Sequence, residues 1–244
     1  MIKDITNGIG AYFKAFGLIS KLKLWKYFTI PILISILTAI LIIVLMYFLS
    51  GSLGALIAKA WIWEWGAEAA AVVSKYVAGL LIIALGLILY KHIVMALSAP
   101  FMSPVSEKIE AHLTGVNNHE HRKTSFQQQL ARGIRINMRN LSKELLFTIP
   151  LIILSFIPVV GFLATAMIFV LQAYYAGFGN MDYTMERHFD YKKSVEFVGQ
   201  HRGVALGNGI PFILMLFIPI LGFIITLPIA VTAASVETVK QIKG

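Results

Sequence analysis

The sequence predicts an all-α integral membrane protein with two long transmembrane helices, two re-entrant (hemi-penetrating) helical hairpins and an amphipathic N-terminal helix. Three observations carry this expectation. Of 244 residues, 58% are hydrophobic and only 14% charged, where soluble domains run at about 45–50% and about 25%. Asp, Glu, Lys and Arg are absent from the 32 residues between Lys26 and Lys59, the 37 between Glu144 and Asp182, and the 34 between Arg202 and Glu237. The last two runs are each interrupted by Phe-Ile-Pro-x-x-Gly-Phe. A spanning helix needs about 20 apolar residues, so a soluble domain and a disordered chain are excluded. With no cysteine, a disulfide scaffold is excluded too.

The remaining charge is basic: 21 Lys+Arg against 12 Asp+Glu, a formal +9. In a soluble chain this would raise nucleic acid as a partner. Here basic residues flanking spans on the cytoplasmic side explain it, and no nucleic-acid-reading motif is present.

Residues 1–22 place Ile5, Ile9, Tyr12, Phe13 and Phe16 at helical spacing, with Lys3, Asp4, Asn7 and Lys14 between them. They form either an interfacial helix or a short helix packed on the domain, and they are not a cleavable signal peptide. The first long helix covers 23–56. Lys21, Lys23 and Lys26 mark its cytoplasmic end, and Pro31 falls in its first turns. Trp61, Trp63 and Trp65, beside Glu64 and Glu68, read as an outer-interface aromatic belt or a ligand-stacking platform. The second long helix covers 69–113, with Lys75 and Lys91 expected to snorkel out of the apolar layer. Thr124-x-x-Gln127 resembles a capping box opening the next helix.

Two hairpin units follow, 124–181 and 186–238. Their first arms, 145–157 and 203–218, would be ~20–24 Å long at 1.5 Å per residue, too short to cross. Proline removes a helical donor and glycine permits a tight reversal, so Pro158 with Gly161 and Pro219 with Gly222 mark the turns. A shift of 61 residues superposes the units with eight identities in fourteen positions, from Ile149-Pro150 on Ile210-Pro211 to Gly161-Phe162 on Gly222-Phe223. Such a repeat suggests either a path at the repeat interface or a duplicated anchor. If both hairpins re-enter, 19 of the 21 Lys+Arg lie on one side, as the positive-inside bias favours.

Catalytic and metal signatures are lacking. His119-Glu120-His121 has the wrong spacing for two ligands on a helix face, and His188, beside Arg187 and Asp190, reads as a solvated face. Gly203-x-x-x-Gly207-x-Gly209 suits close helix packing. Arg132, Arg135 and Arg139 are spaced i, i+3, i+7, so one helix projects them from one face. They would meet carboxylates, with Glu107, Glu110, Asp182 and Glu186 as candidates, or lipid phosphates, or an anion. The second arm of each hairpin turns its N-terminus toward the turn, an orientation that suits an oxyanion.

Further residues carry a resemblance. Ser98-Ala99-Pro100-Phe101, Glu107-x-x-Glu110-x-x-Leu113-Thr114-Gly115, Phe156-Ile157-Pro158-x-x-Gly161, Asp182-Tyr183, Arg202 and Ile218-Pro219 through Pro228-x-Ala230-Val231 occur in order along nearly the whole chain. This set resembles the CysZ-type sulfate permeases, an etoposide-induced-protein-like membrane domain. The resemblance implies two long helices, two hemi-penetrating hairpins, an amphipathic first helix and a multimer in the bacterial inner membrane, with sulfate uptake as the activity and no cofactor. Both termini would then be cytoplasmic. In the family a Gly-Leu-Arg motif precedes the first long helix and is associated with sulfate. Here the aligned residues are Lys23-Leu24-Trp25, which lack the guanidinium fork. The expected anion path therefore comprises Lys23, Trp25, Lys26, Arg132, Arg135, Arg139 and Arg202, with Glu107, Glu110 and Asp182 as charge partners. Glu107, Glu110, Asp182 and His188 are also possible proton carriers. The alternative is a non-transporting membrane scaffold or lipid-interacting protein of the same fold. Membrane lipids, a sulfate-like oxyanion and further copies of the chain are the expected partners.

Overall fold

The computed structural model describes residues 1–59, 67–116, 124–155, 157, 159–218 and 220–243. Trp61, Trp63, Trp65, Glu64, His119, Glu120, His121, Phe156, Pro158 and Pro219 lie outside them. Among the described residues the regular elements are helices: α1 (Ile2–Lys21), α2 (Trp25–Ala58), α3 (Ala67–Thr114), α4 (Phe126–Ser155), α5 (Val160–Met185), α6 (Tyr191–Gln200), α7 (Arg202–Leu216) and α8 (Leu221–Lys243). Four of them, α2, α3, α5 and α8, contain segments long and apolar enough to cross a membrane.

The first helix packs on the domain. Gly8, Ala11, Ala15 and Ile19 recur on one face and are buried against α7 and α8. A Cβ at Gly8 would lie 2.8 Å from the Gly207 carbonyl carbon, and the Tyr12 hydroxyl donates to the Asn208 carbonyl at 2.6 Å. The other face leaves Phe13 and Phe16 exposed.

A tight cap ends α1. Leu24 N–H donates to Ile19 O and Lys23 N–H to Ser20 O, the two bonds of a Schellman motif. Leu24 and Ile19, both fully buried, supply its apolar contact. Lys23 holds the left-handed position, φ 52°. Lys23 thus holds a cap position that glycine ordinarily occupies.

Helix α4 begins one residue later than Thr124-x-x-Gln127 implies. The reciprocal box is Ser125 with Gln128: Ser125 N–H donates to Gln128 Oε1 at 3.0 Å, and Gln128 N–H to Ser125 Oγ at 3.3 Å. Thr124 instead turns its hydroxyl to Glu186 Oε1, 2.7 Å away. The first arm of the hairpin is also longer than its apolar run. With 30 residues, α4 extends ~45 Å at 1.5 Å per residue, because its basic N-terminal half continues the same helix.

The two hairpins, α4–α5 and α7–α8, repeat in conformation. Val159 and Ile220, 61 positions apart, both have positive φ, 68° and 63°. Within each turn the left-handed backbone therefore falls on the branched residue between Pro and Gly rather than on the glycine. Gly161 and Gly222 serve a different need: a Cβ there would collide with the carbonyl oxygens of Ser155 and Met215. The absent side chain allows the returning helix to lie against the end of the arriving one.

Small residues also join the hairpins to each other. A Cβ at Gly177 of α5 would strike the Ala205 carbonyl of α7, and one at Gly209 would strike the Ala173 carbonyl. Ala173-x-x-x-Gly177 thus meets Ala205-x-x-x-Gly209 backbone to backbone. At this crossing the backbones of the two repeat units are in direct contact. Gly203 and Gly207 similarly admit α1, against Met1 O and Ile5 O.

Candidate functional site

Helix α4 buries polar groups and exposes apolar ones. Gly133, Asn137, Asn140, Glu144 and Thr148, at spacings of three and four, are buried together with Ile136. Ile134, Met138, Leu146, Phe147, Ile149, Ile153 and Leu154 are exposed. A helix in water has the reverse arrangement. A polar face turned inward and an apolar face turned outward suit a helix whose outer solvent is lipid.

The buried face of α4 carries one end of an ionic cluster. Lys91 Nζ donates to Glu144 Oε1 at 2.7 Å and to the Gln172 carbonyl at 3.1 Å. His92 Nε2 lies 2.9 Å from Glu144 Oε2, and its Nδ1 lies 3.2 Å from Asn137 Oδ1. The Lys91 and Glu144 side chains are both fully buried. Lys91 was expected to snorkel; it does not, because Glu144 arrives from α4 and supplies a counter-charge at depth. Sequence reasoning missed His92, Asn137 and Glu144. The signal available was the i, i+7 spacing of Asn137 and Glu144 at the start of an apolar run.

A second cluster joins α4, α5 and α6. Arg132 Nη2 and Nε donate to Asp182 Oδ1 and Oδ2 at 2.7 and 3.1 Å. Its remaining N–H groups reach the Phe189 carbonyl and Ser194 Oγ, each at 2.7 Å. Burial works against this charge, but the Asp182 carboxylate outweighs it and holds the guanidinium above its ordinary range. Helix α6 brings Ser194 because Asp190 caps it, accepting from Lys193 N–H at 2.8 Å.

The third cluster corrects two expectations. Glu110 does not meet the α4 arginines. Arg187 Nη2 and His188 Nε2 hold its two oxygens, each at 3.0 Å. Arg187 also donates to Ser106 Oγ at 2.6 Å and to the Ser103 and Tyr183 carbonyls, each at 3.2 Å. Arg187 is thus buried and His188 partly buried against Glu110, rather than both lying on a solvated face. Glu107, one turn from Glu110, is exposed. Glu186 is buried; burial pushes its carboxyl up, against the Thr124 hydrogen bond and nearby Arg132 and Arg187.

The arginine row therefore separates instead of projecting together. Arg132 is bound to Asp182. Arg135 lies over the Tyr191 ring, 4.2 Å from its centroid. Arg139 lies 5.3 Å from the Phe178 centroid and donates to Asn140 Oδ1 at 3.0 Å. Between α4 and α6 a cleft of about 570 Å³ is lined by Ala131, Arg132, Arg135, Asp190, Tyr191 and Lys192. Arg202 begins α7 and donates to the Gly199 carbonyl at 3.0 Å.

Trp25 belongs to an aromatic cluster. Trp25 meets Phe16 and Phe28 edge-on, with centroids 5.7 and 6.3 Å away, and its indole N–H donates to Ser20 Oγ at 3.4 Å. Lys23 and Lys26 are exposed, and the Lys26 ammonium lies 5.2 Å from the Tyr27 centroid.

Comparison with known families matches residues 11–226 to the family described as Sulfate transporter CysZ/Etoposide-induced protein 2.4.

Proposed function

Since the chain belongs to this CysZ family, we propose that it is an anion permease that moves a sulfate-like oxyanion across the inner membrane along the polar face of α4. One observation carries the reading: α4 turns Asn137, Asn140, Glu144 and Thr148 inward and its apolar residues outward. Polar groups held inside an apolar helix set are costly unless they line a path or bind one another.

Arg135 and Lys192, which line the cleft between α4 and α6, gather the anion. Arg132, held by Asp182, positions that cleft. Lys23, Lys26, Arg139 and Arg202 add to the attracting field. The hairpins enter and leave on the cytoplasmic side, which puts 19 of 21 Lys+Arg there. The apolar faces outside α4 and α2 meet lipid and further copies of the chain. A dianion entering against 100 mV costs ~4.6 kcal/mol, twice the single-charge value. Net uptake therefore requires an outward excess, chemical removal of the ion, or coupled protons.

A second reading, a non-transporting scaffold, is favoured by the neutralised state of Arg132, Arg187 and Lys91, each facing a carboxylate. Purified protein in liposomes, tested with labelled sulfate, separates the two. The permease gives saturable flux, reduced several-fold in Arg135→Ala. No saturable flux, with the variant equal to wild type, overturns it in favour of the scaffold. Trp25→Arg restores the family's guanidinium and is expected to raise sulfate binding.

A further inference from the structure

The Lys91–Glu144–His92–Asn137 cluster is a closed chain of hydrogen bonds, and its donors can be counted. Asn137 Nδ2 donates to the Gly133 carbonyl at 2.9 Å. That bond orients the amide, so Asn137 Oδ1 is the atom that faces His92 Nδ1. An amide oxygen only accepts, hence Nδ1 carries a hydrogen. Across the ring, Nε2 faces Glu144 Oε2 at 2.9 Å. A carboxylate also only accepts, and with Nδ1 protonated a neutral imidazole presents a bare lone pair there. Two acceptors do not meet at that distance without a hydrogen between them. Lys91 cannot supply it, because its ammonium is directed to Glu144 Oε1 and the Gln172 carbonyl.

We propose that the His92–Glu144 contact is a proton-binding site, holding one proton more than a neutral histidine beside an ionised glutamate. The proton resides on Nε2, giving an imidazolium, or on Oε2, giving a carboxylic acid; both satisfy every atom of the chain. Its loss leaves either Asn137 Oδ1 or Glu144 Oε2 facing a lone pair in a fully buried place, which weakens the bond between α3 and α4. Proton binding and the packing of these two helices are thereby linked.

The surroundings are consistent with a single exchangeable proton. On α3 the neighbouring charge is Lys91. Helix α4 brings Glu144 and Arg139, and α5 brings Tyr175, within electrostatic reach of both. From α2 and α8, Ser35 and Phe223 approach Tyr90 of α3, and neither carries charge. The site itself stands on hydrogen-bond geometry; its effect on transport rests on the permease reading.

Nitrogen-15 NMR of histidine-labelled full-length protein in lipid nanodiscs tests it at neutral pH. The His92 signal is identified by its loss in His92→Gln or, if that variant does not fold, by elimination with the other histidines replaced one at a time. Infrared spectra of wild type and Glu144→Gln report any carboxylic acid at that position. The expected result is His92 protonated at Nδ1, with either a second N–H at Nε2 or a carboxylic acid band that Glu144→Gln removes. A neutral ring protonated at Nε2 alone overturns the site, as does an Nδ1–H ring with neither a second N–H nor the acid band. Sulfate flux across pH, measured in parallel, distinguishes the two proposals. The expected proton with no flux at any pH sinks the permease and leaves the site standing. Saturable flux with a ring protonated only at Nε2 sinks the site and leaves the permease.

Discussion

Arg132 grips Asp182 through two parallel bonds of 2.7 and 3.1 Å, although 50 residues of chain separate them. Both side chains are nearly buried, at 11% and 8% exposure. Removing one partner leaves the other charge uncompensated. Asp182→Ala is therefore expected to destabilise the protein by about 3–5 kcal/mol, and replacing both residues by apolar ones to restore most of that. Thermal unfolding of single and double variants in one detergent measures the coupling. Equal loss in Asp182→Ala and the double variant would refute it.

Lys23 occupies a left-handed cap, φ 52°. A side chain there costs about 1–2 kcal/mol that glycine does not incur. Lys23→Gly should raise the unfolding midpoint, whereas Lys23→Ala should leave it nearly unchanged. A fall in the glycine variant would mean that the lysine contributes a contact stronger than the strain.

Gly177 and Gly209 bring α5 and α7 into backbone contact. An added methyl must separate two helices in an interior with few voids, and overpacking costs about 1–3 kcal/mol. Gly177→Ala and Gly209→Ala are each expected to lower the unfolding midpoint, while Gly199→Ala, with nothing within 4 Å, should not. Equal stability of all three would refute the close crossing.

Glu186 gives a pH dependence. Burial is the largest influence on its carboxyl and raises its proton affinity in the fold above that of the unfolded chain. Such a group adds stability as pH falls through its folded-state value and loses it as pH rises. Wild type should therefore gain stability relative to Glu186→Gln as pH drops from neutral into the carboxylate range. At neutral pH the variant should be at least as stable. A Glu186→Gln midpoint that tracks wild type at every pH would overturn this.

How much of the protein was legible in the chain depends on the range of the force involved. The membrane class, the helices, the hairpin breaks and the repeat all follow from local pattern. Runs without charge determine the solvent, and Pro158-Val159-Val160-Gly161 and its copy near Gly222 interrupt the runs wherever they lie in space. The arginine row was visible too, as a spacing on one helix.

The partners of those charges were not visible. Lys91 beside an apolar run resembles any snorkelling lysine until Glu144 of α4 is brought to it, 53 residues away. Arg187 and His188 look solvated until Glu110 of α3 is placed beneath them. Even the turn was assigned by type rather than by conformation, since Val159 and Ile220 adopt the left-handed backbone while the glycines yield space to carbonyls. The sequence by itself determined which solvent surrounds the protein, because hydropathy acts on each residue where it stands. Only the tertiary structure decided which charges are neutralised, because pairing inside a low-dielectric interior depends on distances that the packing of α3, α4 and α5 creates.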